Sequence, residues 1–391
     1  MDETSWIPYG RQSINQDDID AVSKCLQSDW LTTGPLVSEF EDQIAYYCNV
    51  NYAVAFCNAT AALHMACRVL EVGAGDIVWT SPNTFAASAN CAIYCGATID
   101  FVDIDENTYN LSIASLKDKL LEARKKNCLP KVIIPVHFAG QSCDMRDIYN
   151  LSQEYGFRII EDASHAIGAR YQEKPIGSCQ YSDIAIFSFH PVKIITTGEG
   201  GMALTKDAVL AERLALLRSH GITRDPRQML NELDGPWYTE QIDLGVNYRI
   251  TDFQCALGLS QLKRIDSFIV KRNLLAERYH ELLADLPLKL PTLSKDRYSA
   301  YHLYPIQIEK EPRAETRLSV FNYLHKAKVG VQVHYVPVHL HPYYRRKFGF
   351  KPGDFPKAEQ YYQGVLSLPL YADLTEEQQN YVVEKLREAL S

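Results

Sequence analysis

Between Asn51 and Thr205 short apolar runs alternate with amphipathic stretches, and this alternation restricts the fold more than any other feature of the chain. A short apolar run suits a strand buried on both faces, and a following segment with apolar residues three and four apart suits a helix laid across it. The expected strands are Tyr52 to Phe56, Asp76 to Trp79, Thr98 to Val102, Lys131 to Phe138, Arg158 to Glu161, Asp183 to Phe187 and Met202 to Leu204. Helices are expected at Thr60 to Leu70, Thr84 to Tyr94, Ile113 to Lys126 and Met145 to Tyr155. Parallel strands need such crossovers, so the pattern predicts an α/β domain with a seven-stranded, mostly parallel sheet.

The rest of the chain reads differently. A charged helix is expected from Gln261 to Leu283, then a proline-containing hinge at Leu286 to Pro291, then a smaller unit. We therefore expect a large α/β domain over 12–257, a small C-terminal α+β domain over 258–391, and 1–11 as an N-terminal arm near the active site. Thr223 to Asp243, with two prolines, a glycine and many polar residues, reads as a long loop, and long loops are usually functional or disordered.

A net charge of −8 argues against a general nucleic-acid binder. The N-terminus lacks a basic region followed by an apolar stretch, and no run approaches the roughly 18 apolar residues of a spanning helix, so no membrane partner and a cytoplasmic location are expected. The ten cysteines are scattered and read as reduced thiols. Cys91 and Cys95, and separately His334, His339 and His341, lack the companions of a metal site, so no metal is expected.

In open α/β sheets, ligands bind beyond the carboxyl ends of the strands. Lys193 follows the strand ending at Phe187 and precedes the turn Thr197-Gly198-Glu199-Gly200-Gly201. An ammonium there must be solvated, paired or deprotonated, and a deprotonated lysine is a nucleophile toward aldehydes and ketones. Asp162, in Glu161-Asp162-Ala163-Ser164-His165-Ala166, is a carboxylate at the mouth of the preceding strand. A reactive lysine and a carboxylate that keeps a pyridinium nitrogen protonated are the two protein groups pyridoxal phosphate chemistry most needs. Asn58-Ala59-Thr60-Ala61-Ala62-Leu63 supplies small residues at a helix start, suited to a phosphate, although Thr60 equally suits an N-cap. Ser188 offers a second hydroxyl. Phe85 suits stacking on a flat ring, or plain core packing.

These segments, with Trp30-Leu31-Thr32-Thr33-Gly34-Pro35, Ser188-Phe189-His190-Pro191-Val192-Lys193 and Asn247-Tyr248-Arg249, resemble the DegT/DnrJ/EryC1 nucleotide-sugar aminotransferases over nearly the whole chain. The resemblance implies the fold-type I, aspartate aminotransferase-like architecture of pyridoxal phosphate-dependent transferases. It also implies a homodimer with the active site at the subunit interface. Position by position, Lys193 matches the lysine that holds the cofactor and shuttles the proton, and Asp162 the acid on the pyridine nitrogen. Phe85 matches the stacking aromatic, and His165 the residue beside the phenolic oxygen. Thr60, Ala61 and Ser188 match phosphate ligands, and Asn247 an asparagine reaching in from the partner subunit. The family's usual glycine before the phosphate threonine is here Ala59. A sugar-deoxygenating relative has histidine in place of the lysine, so Lys193 implies transamination.

Ile7 to Gln12, His220 to Pro226 with Gly235 to Tyr238, and Gln332 to His339 resemble the branch that makes the 4-amino precursor of pseudaminic acid. That branch aminates a UDP-linked 2-acetamido-2,6-dideoxy-4-keto-hexose of L-arabino configuration, with L-glutamate as donor. Tyr9, Thr33, Arg224, Trp237, His334 and Tyr335 are the substrate-side candidates. The alternatives are an aminotransferase for another UDP- or dTDP-keto sugar, a dehydratase using the same cofactor, and a sugar-sensing regulator without turnover.

Overall fold

The computed structural model describes residues 6–231 and 234–391. The first five residues of the expected N-terminal arm, and residues 232–233 of the expected long loop, lie outside them.

Seven strands form the main sheet: β1 (Tyr52–Phe56), β2 (Ile77–Thr80), β3 (Thr98–Phe101), β4 (Val132–Ile134), β5 (Arg158–Asp162), β6 (Ile184–Ser188) and β7 (Gly201–Thr205). Their spatial order is β1-β7-β6-β5-β4-β2-β3. Strand β7 runs antiparallel to both neighbours, and the other four pairings are parallel. Successive residues of each strand face opposite sides. Ala55, Trp79, Ile133, Ile159, Ala185 and Met202 join the core on one side, and Val54, Val78, Val132, Ile160, Ile186 and Ala203 the core on the other. Burial on both faces explains why β1, β4, β6 and β7 read as nearly continuous apolar runs.

Three local features differ from expectation. Strand β4 is interrupted after Ile134, because Pro135 has no N–H for the ladder; pairing with β5 resumes only as a single parallel bridge between Val136 and Asp162 before Phe138–Gly140 closes a 3₁₀ turn. The helix expected at Thr84 begins at Ala87, which leaves 81–86 as an irregular turn. The helix expected from Gln261 to Leu283 runs Ile265–Leu282, starting four residues late, because a separate helix, Asp252–Leu262, occupies Gln261 and Leu262. The break falls where Gln261 and Arg264 both turn to Asp18 and the Ser13 carbonyl.

The boundary expected at 257/258 falls inside the helix Asp252–Leu262. Beyond it, β8 (Leu288–Lys289), β9 (Tyr304–Ile308) and β10 (Val365–Leu368) form an antiparallel sheet in the order β8-β9-β10. A separate core of Tyr279, Tyr304, Ile306, Leu324, Leu366 and Leu386 lies against it. Ile7 belongs to that core and bridges to Val329, so the N-terminal segment is fastened to the C-terminal unit. The segment Thr223 to Asp243 is closed at its base by a short ladder between Ile222–Thr223 and Glu240–Gln241.

Candidate active site

The carboxyl ends of β1, β2, β5 and β6 open into a cavity of about 490 Å³. Its walls include Asn58, Ala59, Thr60, Phe85, Asp162, His165, Ser188 and Lys193, with Tyr9, His334 and Tyr335 from the N-terminal segment and the C-terminal unit.

The helix Ala59–Val69 points its N-terminus into this cavity. Asn58, not Thr60, is its cap: Asn58 Oδ1 accepts the Ala61 N–H at 2.8 Å. Capping therefore engages the Ala61 N–H, one of the expected phosphate donors. It leaves the Thr60 hydroxyl and the first-turn amides of Ala59 and Thr60 for an anion. Gly201 makes the turn possible. A Cβ there would lie 2.5 Å from Ala59 N and from the Asn58 carbonyl carbon, so only glycine lets β7 approach so closely. Ser188 closes the same end of the cavity.

Asp162 ends β5, and strand alternation sends it and Glu161 to opposite faces. Glu161 Oε2 lies 2.7 Å from His137 Nε2 in the interior. Asp162 faces the cavity, its Oδ1 accepting the Ser164 N–H at 3.2 Å and its Oδ2 the Ser88 hydroxyl at 2.6 Å. A buried carboxylate so held suits a cationic N–H of a ligand. Lys193, on the turn after β6, is partly buried. Burial lowers its pKa from the ordinary 10.5 to about 8, with the Asp162 charge acting in the opposite direction. A usable fraction of its amine is therefore unprotonated near neutral pH.

His165 is buried, and burial, with the Lys193 and His334 charges, holds its pKa well below the ordinary histidine value. The Ala139 N–H donates to His165 Nδ1 at 3.3 Å, which assigns the ring proton to Nε2, 3.2 Å from the Tyr335 hydroxyl. Burial, then Lys193, pushes His334 down to about 3, and its Nδ1 lies 2.9 Å from Ser367 Oγ. Two uncharged imidazoles thus stand beside the amine and add no positive charge to it.

Phe85 is 63% exposed at the cavity wall, so it is not a core residue. Of the six substrate-side candidates, Tyr9, His334 and Tyr335 line the cavity; Thr33, Arg224 and Trp237 are exposed on segments outside it, as is Asn247. Sequence reasoning missed Ser164, Glu199 and, behind Asp162, Ser88. The signal for Ser88 was its spacing of four from Thr84, one helical turn along the segment that carries Phe85. His339 Nε2 lies 2.9 Å from Glu359, and among the described residues no group of three or more His, Cys, Asp or Glu is arranged to hold a metal ion.

The residues fit pyridoxal phosphate: an amine of lowered basicity, a carboxylate, an exposed aromatic ring and a helix N-terminus with free donors share one cavity. The model of the DegT/DnrJ/EryC1/StrS aminotransferase family matches residues 12–387. The spore coat polysaccharide biosynthesis protein SpsC of Bacillus subtilis is 38% identical over 98% of this chain and 97% of its own. The UDP-4-amino-4,6-dideoxy-N-acetyl-beta-L-altrosamine transaminase of Campylobacter jejuni is 37% identical over 97% of this chain and 96% of its own. Among solved structures, Helicobacter pylori PseC, an aminotransferase of pseudaminic acid biosynthesis, superposes with a TM-score of 0.90 at 30% identity, covering 99% of both chains.

Proposed function

Because the chain belongs to the DegT/DnrJ/EryC1/StrS aminotransferase family, and is thus a pyridoxal phosphate-dependent sugar aminotransferase, we propose that it moves the amino group of L-glutamate to C4 of UDP-2-acetamido-2,6-dideoxy-β-L-arabino-hex-4-ulose. The observation that carries the reaction type is Lys193 and Asp162 on one cavity wall, the lysine with its pKa lowered to about 8. The near full-length similarity to the altrosamine transaminase and to PseC supports this sugar. The comparable similarity to SpsC favours, as a second reading, another nucleotide-linked keto sugar.

Pyridoxal phosphate, when bound, supplies an aldehyde onto which an amino group can exchange and a ring that withdraws electrons from the reacting carbon. Thr60, Ser188 and the amides of Ala59 and Thr60 would hold its phosphate, Asp162 its ring nitrogen, and Phe85 one face of the ring. Lys193 Nζ would anchor it covalently. With the donor in its place, the same Nζ would take the α-proton of glutamate, and in the second half-reaction it would deliver a proton to C4 of the sugar. His165 Nε2–H donates to the Tyr335 oxygen, which leaves the Tyr335 hydroxyl proton to donate to an oxygen of a ligand in the cavity. Tyr9, His334 and Tyr335 form the wall offered to the sugar. The balance is glutamate plus keto sugar to 2-oxoglutarate plus amino sugar.

The proposed assembly is a cytoplasmic homodimer with its sites between subunits. It would bring Asn247, which stands exposed outside the cavity of its own subunit, to the phosphate of the other, and Thr33, Arg224 and Trp237 toward the nucleotide sugar. No helix among the described residues is long and apolar enough to cross a membrane.

The test is incubation with L-glutamate and a panel of UDP- and dTDP-linked 4-keto sugars, with products read by mass and NMR. A 4-amino sugar from the L-arabino substrate and stoichiometric 2-oxoglutarate are expected. Amination of a different sugar alone selects the second reading, and a 3-deoxy product would overturn transamination. Lys193→Ala is expected to stop both half-reactions.

A further inference from the structure

Asp162 is held from behind as well as facing the cavity. Its Oδ2 accepts the Ser88 hydroxyl at 2.6 Å, and Ser88 Oγ lies 2.7 Å from Thr84 Oγ1. All three side chains are buried, Ser88 completely. An ionised carboxylate only accepts hydrogen bonds, so the single Ser88 proton points at Asp162 in preference to its weaker alternative, the Phe85 carbonyl at 3.3 Å. Ser88 Oγ is then left to accept from Thr84. The protons run in one direction, from Thr84 to Ser88 to Asp162. Thr84 and Phe85 belong to the turn before the helix Ala87–Tyr94, and Ser88 lies in its first turn. One short segment therefore presents a ring to the cavity and a hydroxyl to the carboxylate.

We propose that Ser88, backed by Thr84, is a positioning residue that fixes the rotation of the Asp162 carboxylate toward the cofactor's ring nitrogen and ties it to the turn carrying Phe85. The inference rests on the reading of Asp162 as the partner of that nitrogen. With Ser88 on Oδ2 and the Ser164 N–H on Oδ1, neither oxygen can swing away without losing a bond to a charged acceptor, which is among the stronger hydrogen bonds in a protein. Without Ser88 the carboxylate turns, and its hold on a proton at the ring nitrogen slackens. A ring that has lost positive charge repels a proton at the lysine-linked end less, so that end stays protonated to higher pH.

The test removes the cofactor from the purified protein and titrates pyridoxal phosphate back, reading its dissociation constant and the pH midpoint of its visible absorption change. Ser88→Ala leaves the helix intact, since alanine is the better helix former. It is expected to weaken cofactor binding about tenfold, equivalent to ~1.4 kcal/mol, and to move the midpoint upward. Thr84→Val should move both the same way by a smaller factor, and no change there would remove Thr84 from the proposal. Asp162→Asn is the control. If it disrupts both readouts while Ser88→Ala changes neither, or changes only thermal stability, the inference about Ser88 is overturned and the reading of Asp162 stands. If Asp162→Asn also leaves both unchanged, the reading of Asp162 falls and the inference with it.

Discussion

The lowered pKa of Lys193 makes a prediction about stability that is independent of turnover. Its ammonium sits partly buried at a strand end, with a pKa of about 8 against an ordinary 10.5. Below pH 8 the lysine is charged in both folded and unfolded chains, and the folded protein bears the full cost of holding that charge out of water. Between about pH 8 and 10.5 the unfolded chain binds more protons than the folded one, so folding stability rises with pH through that window. At ~1.4 kcal/mol per pH unit the difference is at most about 3 kcal/mol, and less to the extent that solvent reaches the side chain. Lys193→Met removes the charge and keeps the length. Its apolar gain is independent of pH, so the pH dependence of the difference between variant and parent isolates the charge. Urea unfolding of cofactor-free protein, followed by tryptophan fluorescence at pH 7 and pH 10.5, should show the variant more stable at pH 7, with the margin shrinking by about 1–3 kcal/mol at the higher pH. A margin that stays constant, or grows with pH, would refute the claim that Lys193 is held at a cost in the folded protein.

Three further outcomes are expected. Gly201→Ala should push the Asn58–Ala59 turn out of place and weaken pyridoxal phosphate binding at least about tenfold, measured by absorbance titration, because the new Cβ meets backbone that cannot yield cheaply. Asn58→Ala should destabilise the protein by about 1 kcal/mol through loss of the cap on the Ala61 N–H, read as a fall in the urea midpoint of the cofactor-free chain. Tyr335→Phe removes the hydroxyl beside His165 Nε2 and should lower kcat by about tenfold with a smaller change in the KM for glutamate, as expected for a group that acts in the chemical steps.

Most strands of the main sheet were legible because they are buried on both faces and so carry short apolar runs, whereas the edge strand Thr98–Phe101 alternates, with Thr98 exposed and Asp100 half-buried. Where a run was over-read, at Lys131 to Phe138, the interruption was also in the sequence, in Pro135, but how far pairing resumes beyond it, here to a single bridge between Val136 and Asp162, depends on the partner strand. The division at Lys263 and Arg264 was not legible, since the leucine and charge pattern continues across it. At that break Gln261 and Arg264 both contact Asp18, more than two hundred residues earlier, a partner that only the folded chain supplies.

The candidate site follows the same division. Lys193, Asp162, Ser188, Phe85 and the Asn58 to Ala61 turn each lie at or just past a strand end, where a parallel sheet opens to solvent and a polar group has room for a ligand, and it is their joint order and the family resemblance it carries, not any one position, that marks them. What their positions left open was which group serves the fold and which remains free for a ligand. Folding assigns the cap to Asn58 and so frees Thr60, exposes Phe85 at the cavity instead of burying it, and places Ser88 behind Asp162. It also decides which distant segments complete the wall, taking Tyr9, His334 and Tyr335 and leaving Thr33, Arg224, Trp237 and Asn247 outside. The physical reason is one of range. Strand burial, helix period and proline breaks act through near neighbours and are written locally, whereas hydrogen-bond partners, desolvation of an amine and the closure of a cavity depend on atoms that only the folded chain brings together.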